Sequence, residues 1–160
     1  MLGSQIEAAL KVYQRHGHFL GTFAKGARPF LKVGSYGIFN TMSRSDLSED
    51  TQILAHWVVI GRPEPHLFEV FDATPRQTQE LFYIFNDYTG SIIMNSVDLM
   101  PENSSLCGEF AVFFLVVRLS NMDLDFTTVL NLYLSKDVAK NKAKVLELLQ
   151  HLHTENPSPF

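Results

Sequence analysis

The 160-residue sequence predicts a single α+β domain over residues 1-160, with a small central mixed sheet, a buried cysteine-bearing helix and further helices flanking it. Three observations carry this expectation. The elements run helix, strands, buried helix, helices, which suits α+β rather than an alternating doubly wound sheet. The length accommodates one ordinary core and is too short for two. A composition of 46% hydrophobic and 19% charged residues, with 13 Phe, excludes a disordered chain or a fibrous repeat.

Ser4-Gln5-Ile6-Glu7 has the form of a capping box, in which the Ser4 hydroxyl and the Glu7 carboxylate serve the first helical amides. Ile6, Leu10 and Tyr13 then share a helical face, and Gly17 is placed to end the helix. Between Gly21 and Thr41, several glycines alternate with aromatic residues and with Lys25, Arg28 and Lys32. This reads as an ordered loop or short strands, because Phe23, Phe30, Tyr36 and Phe39 call for burial. Ser43 to Thr51 is polar and reads as the flexible loop. Ile53 to Ile60 is an extended apolar run around His56-Trp57, Gly61 to Pro65 reads as a turn, and Leu67 to Asp72 resumes the extended pattern, so a hairpin is predicted. Thr74-Pro75-Arg76-Gln77 supplies a cap, a first-turn proline and a capping-box glutamine for a helix through Leu81, Phe82 and Phe85. Ser91 to Val97 reads as another strand. Cys107 to Val117 is apolar enough for a central helix buried on most sides, and a final amphipathic helix begins near Asp137 with Val138, Val145, Leu148, Leu149 and Leu152 as its stripe.

Charge and cysteine content narrow the function classes. Seventeen acidic and 13 basic residues give a net charge of −4, without a Lys/Arg-dominated stretch, so nucleic-acid binding is unsupported. The single cysteine, Cys107, cannot form an internal disulfide or a multi-cysteine metal site, and points to a reducing compartment. No metal ligand set is assigned. The longest near-apolar run, Phe110 to Val117, falls short of a bilayer span, and the first residues lack a signal-peptide pattern, so neither a membrane nor secretion is expected.

What remains for the lone thiol is burial or chemistry. A cysteine at a helix N-terminus meets unpaired amides and the positive end of the helix dipole, which favour the thiolate. A histidine on a neighbouring strand can complete a thiolate–imidazolium pair, and a carboxylate behind it can orient the ring. The chain offers His56, an acid on the next strand, and Cys107 in that order. Against this, free cysteine is among the most buried residue types, and a strand histidine is commonly just a satisfied polar group.

Asn103-Ser104-Ser105-Leu106-Cys107-Gly108-Glu109-Phe110 resembles the nucleophile segment of the adenovirus maturation protease (adenain-like) family, which shares a cysteine-protease clan with the proteases of ubiquitin-like proteins. Phe19-Leu20-Gly21-Thr22-Phe23 is similar to that family's N-terminal segment, Phe39-Asn40-Thr41 to the stretch before its histidine, and His56-Trp57 to its His-Trp pair. The tail Asn141 to Phe160 is also similar, so matching segments in the same order cover most of the chain.

The resemblance implies Cys107 as nucleophile on the buried helix and His56 as general base. It offers two acids. Phe68-Glu69-Val70-Phe71 resembles the adenoviral pattern, whereas Phe71-Asp72-Ala73-Thr74 resembles that of the wider clan. Residues three apart on a strand point to opposite faces, so only one of them can face the histidine. Asp72, 16 residues after His56, is favoured, with Glu69 as the alternative. Gly21, Thr22 and Trp57 become substrate-binding candidates, although Trp57, alternating with His56, could equally pack in the core. The family's oxyanion glutamine has no counterpart in Asp98 to Asn103, leaving the Cys107 main-chain N–H and Asn103 as candidate donors.

By resemblance the chain is a viral or virus-derived cysteine endopeptidase that processes capsid or scaffold precursor proteins, in the virion or at a nuclear or cytoplasmic assembly site. The alternatives are a deubiquitinase- or deSUMOylase-like isopeptidase and a catalytically inactive binding module. The family's activating peptide is joined through a second cysteine, which this chain lacks. No cofactor is required by this reading, and room is left only for a non-covalent activating peptide.

Overall fold

A computed structural model describes residues 1–43, 56–75, 78–102 and 104–155. The order of elements is α1 (Gly3–Ala9), α2 (Lys11–Arg15), β1 (Phe19–Lys25), β2 (Ser35–Ser43), β3 (Trp57–Glu64), β4 (Leu67–Phe71), a 3-10 helix (Thr78–Asp87), β5 (Ser91–Met94), α3 (Cys107–Leu119), α4 (Phe126–Tyr133) and α5 (Val138–Glu155). The strands form one sheet in sequence order, β1-β2-β3-β4-β5. It is mixed: β1/β2 and β4/β5 are parallel, and the two central pairings are antiparallel. The α+β expectation, with a central mixed sheet, describes this architecture.

Alternation along the strands builds two cores. Tyr36, Ile38, Trp57, Val59 and Phe71 face α3 and pack with Phe110 and Phe114, whereas Phe39, Val58, Ile60, Phe68 and Val70 face the other side and pack with Leu31, Leu81 and Ile84. The Phe71 and Phe114 rings stack at 4.4 Å, joining β4 to α3. The sheet covers one side of α3 while residues of α4 and α5 pack into the same cluster, so nearly all of the helix is buried. That is why its sequence carries no polar stripe.

Several boundaries differ from the sequence reading. The first helix starts at Gly3, with Gln5 Oε1 accepting from the Leu2 N–H at 2.7 Å. Glu7 is not a capping residue: its carboxylate turns to β1 and accepts from the Thr22 amide and hydroxyl, each at 3.0 Å. The stretch from Gly61 to Glu64 belongs to β3 rather than to a turn, because Gly61 pairs with Tyr36 and Arg62 with Ser35, so the reversal falls at Pro65-His66. β5 ends at Met94, short of Val97, because Asn95 turns back to bind the end of β4. The helix after Thr74 is a 3-10 helix from Thr78; Arg76 and Gln77 lie outside the described residues, as does the polar loop reading beyond Ser43 and the strand reading before His56. The Gly26–Gly34 loop is ordered as expected, held by the Tyr83 and Tyr88 hydroxyls, each of which accepts a loop N–H. Phe30, however, is 72% exposed. Among the described residues, no helix is long and apolar enough to cross a membrane.

Candidate active site

Three elements converge on one polar cluster. His56 immediately precedes β3, with its carbonyl accepting from the Thr41 N–H of β2 at 3.1 Å, so the neighbouring strand holds its main chain. Asp72 immediately follows β4. Cys107 is the first residue of α3, and a largely buried helix held against the sheet brings its thiol to the strand ends. His56 Nε2 donates to Asp72 Oδ1 at 2.6 Å, and Cys107 hydrogen-bonds the same imidazole. With Nε2 engaged by Asp72, Nδ1 is the ring nitrogen left for the thiol.

Asp72 is fully buried. Its Oδ1 also accepts from the Thr74 N–H at 3.0 Å, and its Oδ2 accepts from the Thr78 hydroxyl at 2.6 Å. Asn95 brackets its main chain, accepting from the Asp72 N–H at 3.0 Å and donating to the Asp72 carbonyl at 2.5 Å. Burial, the largest influence on His56, disfavours the imidazolium, but hydrogen bonds to Asp72 and Cys107 and the electrostatic pull of both more than offset it. The His56 pKa is pushed up to about 9.

Glu69 sits elsewhere. It accepts from Arg118 through both oxygens, Nε to Oε2 at 2.8 Å and Nη2 to Oε1 at 2.7 Å, and from the Tyr36 hydroxyl at 2.7 Å. All three side chains are buried on the α3 side of the sheet. Of the two acids considered, Asp72 is therefore the one beside the imidazole, while Glu69 ties β4 to the far end of α3.

Trp57 is buried, with its indole N–H donating to the Met1 carbonyl at 3.0 Å. It packs against the start of α3 because residue 108 is glycine: a Cβ there would come within 3.2 Å of the indole and 2.8 Å of Met1 Cβ. Gly21 and Thr22 lie on edge strand β1, where Thr22 takes no part in the Asp72–His56 hydrogen bonds and instead donates its amide and hydroxyl to Glu7. Of the two oxyanion candidates, the Cys107 N–H belongs to the first turn of α3, where amides project from the helix end, and Asn103 lies outside the described residues. The basic trio is only partly free of acids: Lys25 approaches Glu80 at 3.5 Å and Arg28 approaches Asp87 at 3.9 Å, both at the surface. Among the described residues, no three His, Cys, Asp or Glu side chains group as metal ligands.

Thr78 and Asn95 escaped the sequence reading. Each is a buried polar residue at the edge of an apolar stretch, a pattern that signals a partner without naming it. In comparisons with known proteins, no family model matches the chain and no curated protein matches it.

Proposed function

We propose that this chain is a cysteine endopeptidase acting through Cys107, His56 and Asp72. The observation that carries the reading is the Asp72–His56 pair, its carboxylate fully buried and held at 2.6 Å from the imidazole, with the thiol of a helix N-terminus on the same ring. A fully buried carboxylate behind a histidine that favours its charged form orients the ring and stabilises a thiolate–imidazolium pair. A structural histidine needs neither the thiol nor the placement at a helix start.

In this mechanism the Cys107 proton resides on His56, whose Nε2–H remains bonded to Asp72. The Cys107 sulfur attacks the scissile carbonyl carbon and the carbonyl electrons move to oxygen, giving a tetrahedral oxyanion beside the Cys107 N–H. His56 gives its proton to the leaving amine as the C–N bond breaks, leaving a thioester. Neutral His56 then takes a proton from water, the hydroxide adds to the thioester, and the acid product departs as the thiolate–imidazolium pair returns.

The ordered resemblance to the adenovirus maturation proteases supports a viral or virus-derived enzyme that cleaves capsid or scaffold precursors at an assembly site, with small residues such as glycine beside the bond. The test is incubation of the purified chain, with and without added peptides, with viral structural precursors and with ubiquitin-like conjugates, comparing wild type with Cys107→Ala. Cleavage of precursors by the wild type alone is expected. Cleavage of conjugates alone would make the protein a deconjugating isopeptidase, and cleavage of neither by folded protein would leave a binding module.

A further inference from the structure

We propose that Thr78 is a positioning residue for the Asp72–His56 pair: its hydroxyl, donated from the 3-10 helix to Asp72 Oδ2 at 2.6 Å, holds the carboxylate in the plane that aims Oδ1 at the imidazole. The proposal rests on the reading of Asp72 as the acid of the triad. Asn95 brackets the Asp72 main chain from both sides, so the backbone is fixed without Thr78. What stays free is rotation of the carboxylate about its bond to Cβ, a broad torsion with little intrinsic preference. The Thr74 N–H constrains Oδ1 alone and permits the group to pivot about that oxygen. Among the described residues Thr78 is the donor to Oδ2, and adding it leaves one plane that satisfies all three bonds.

The donor is itself firmly held. Thr78 is 3% exposed, and Leu81 and Ile84 of the same 3-10 helix are buried in the core on the sheet face away from α3. The hydroxyl is thus carried by a packed element that does not belong to β3, β4 or α3, the elements that bring the triad together. Second-layer hydrogen bonds of this kind decide whether a reacting group is aimed or merely present.

Thr78→Val and Thr78→Ser separate positioning from packing. Valine keeps the shape and loses the donor, whereas serine keeps the donor and loses a methyl group. If Thr78 aims the carboxylate, Thr78→Val lowers kcat about 10²-fold with KM little changed, and Thr78→Ser restores most of it. A residue that mattered only for packing would rank the two variants the other way.

The second readout needs no substrate: the titration of the His56 ring followed by NMR in the full chain. Asp72 and Cys107 are the ionisable groups that set its value. Loss of aim weakens the Oδ1 bond and moves the midpoint down in Thr78→Val but not in Thr78→Ser. Mere removal of a donor would make the carboxylate more basic and move the midpoint up. A midpoint that is unchanged or raised in Thr78→Val overturns the proposal even if the protein proves to be a protease. A lowered midpoint that serine restores upholds the positioning role even if no peptide substrate is cleaved.

Discussion

At His56, protonation links reactivity to stability. The folded-state pKa of about 9 lies above the ordinary value of 6.5, so the folded chain binds this proton more tightly than the unfolded one. The stabilisation from the charged ring is therefore complete below pH 6.5 and is lost as pH rises through about 9. Urea unfolding at pH 6 and pH 10 should show the higher midpoint at the lower pH for wild type, with the difference reduced in Asp72→Asn. The same titration sets an expectation for catalysis. If the thiolate–imidazolium pair is the active form, kcat/KM falls on an alkaline limb near pH 9 as His56 loses its proton. His56→Ala should cost about 10²–10⁴-fold in kcat/KM while the chain remains folded. A rate that keeps rising beyond pH 10 would contradict this assignment of protons.

Between elements, close approach and charge hold the geometry of the site. β2 and β3 pair with Tyr36 opposite Gly61, and the Tyr36 ring lies over that glycine. A Cβ at residue 61 would fall 1.9 Å from the ring, and Tyr36 has no room to retreat, being fully buried and bonded to Glu69. Gly61→Ala should therefore destabilise by at least about 3 kcal/mol, the upper part of the range for overpacking, as read by denaturant unfolding. Glu69 and Arg118 form the complementary tie. Glu69 lies on β4, which leads to Asp72, and Arg118 lies on the helix that begins at Cys107. Arg118 also donates to the Asn121 and Leu124 carbonyls, so it secures the end of α3 as well. Removing either member should cost about 3–5 kcal/mol, because the other is left as a buried unpaired charge. The double variant should cost clearly less than the sum of the two single losses in a double-mutant cycle.

Over the whole molecule, the two sheet faces divide the work. The α3 face carries the helix that begins at Cys107 and the Glu69–Arg118 tie, while the opposite face packs the 3-10 helix that delivers Thr78 to Asp72. The candidate site lies where strand ends, a helix start and a 3-10 helix meet, so its alignment depends on packing from both cores. This arrangement accounts for three polar residues, Asp72, Thr78 and Asn95, being buried together without an unmet carboxylate oxygen.

The α+β class, the hairpin, the central helix and the amphipathic last helix were legible in the sequence, because each rests on local periodicity or on a long apolar run. So were Cys107 and His56 as candidates, through short motifs in order. Helix α4 was not singled out, although Asp125 caps it by accepting from the Thr128 N–H at 2.7 Å. The turn at Pro65-His66 was misplaced because Gly61 and Pro63 read locally as breakers, whereas the pairing of Gly61 with Tyr36 across the sheet keeps them in β3. Strand alternation established that Glu69 and Asp72 cannot both face the histidine, but either could have done so from sequence alone. Only the tertiary structure decided between them, by placing Arg118, 49 residues from Glu69 along the chain, within bidentate reach of that carboxylate. The same holds for Thr78 and Asn95: a hydrogen bond between distant residues depends on how whole elements pack, and local sequence carries the periodicity of an element but not the identity of its neighbour.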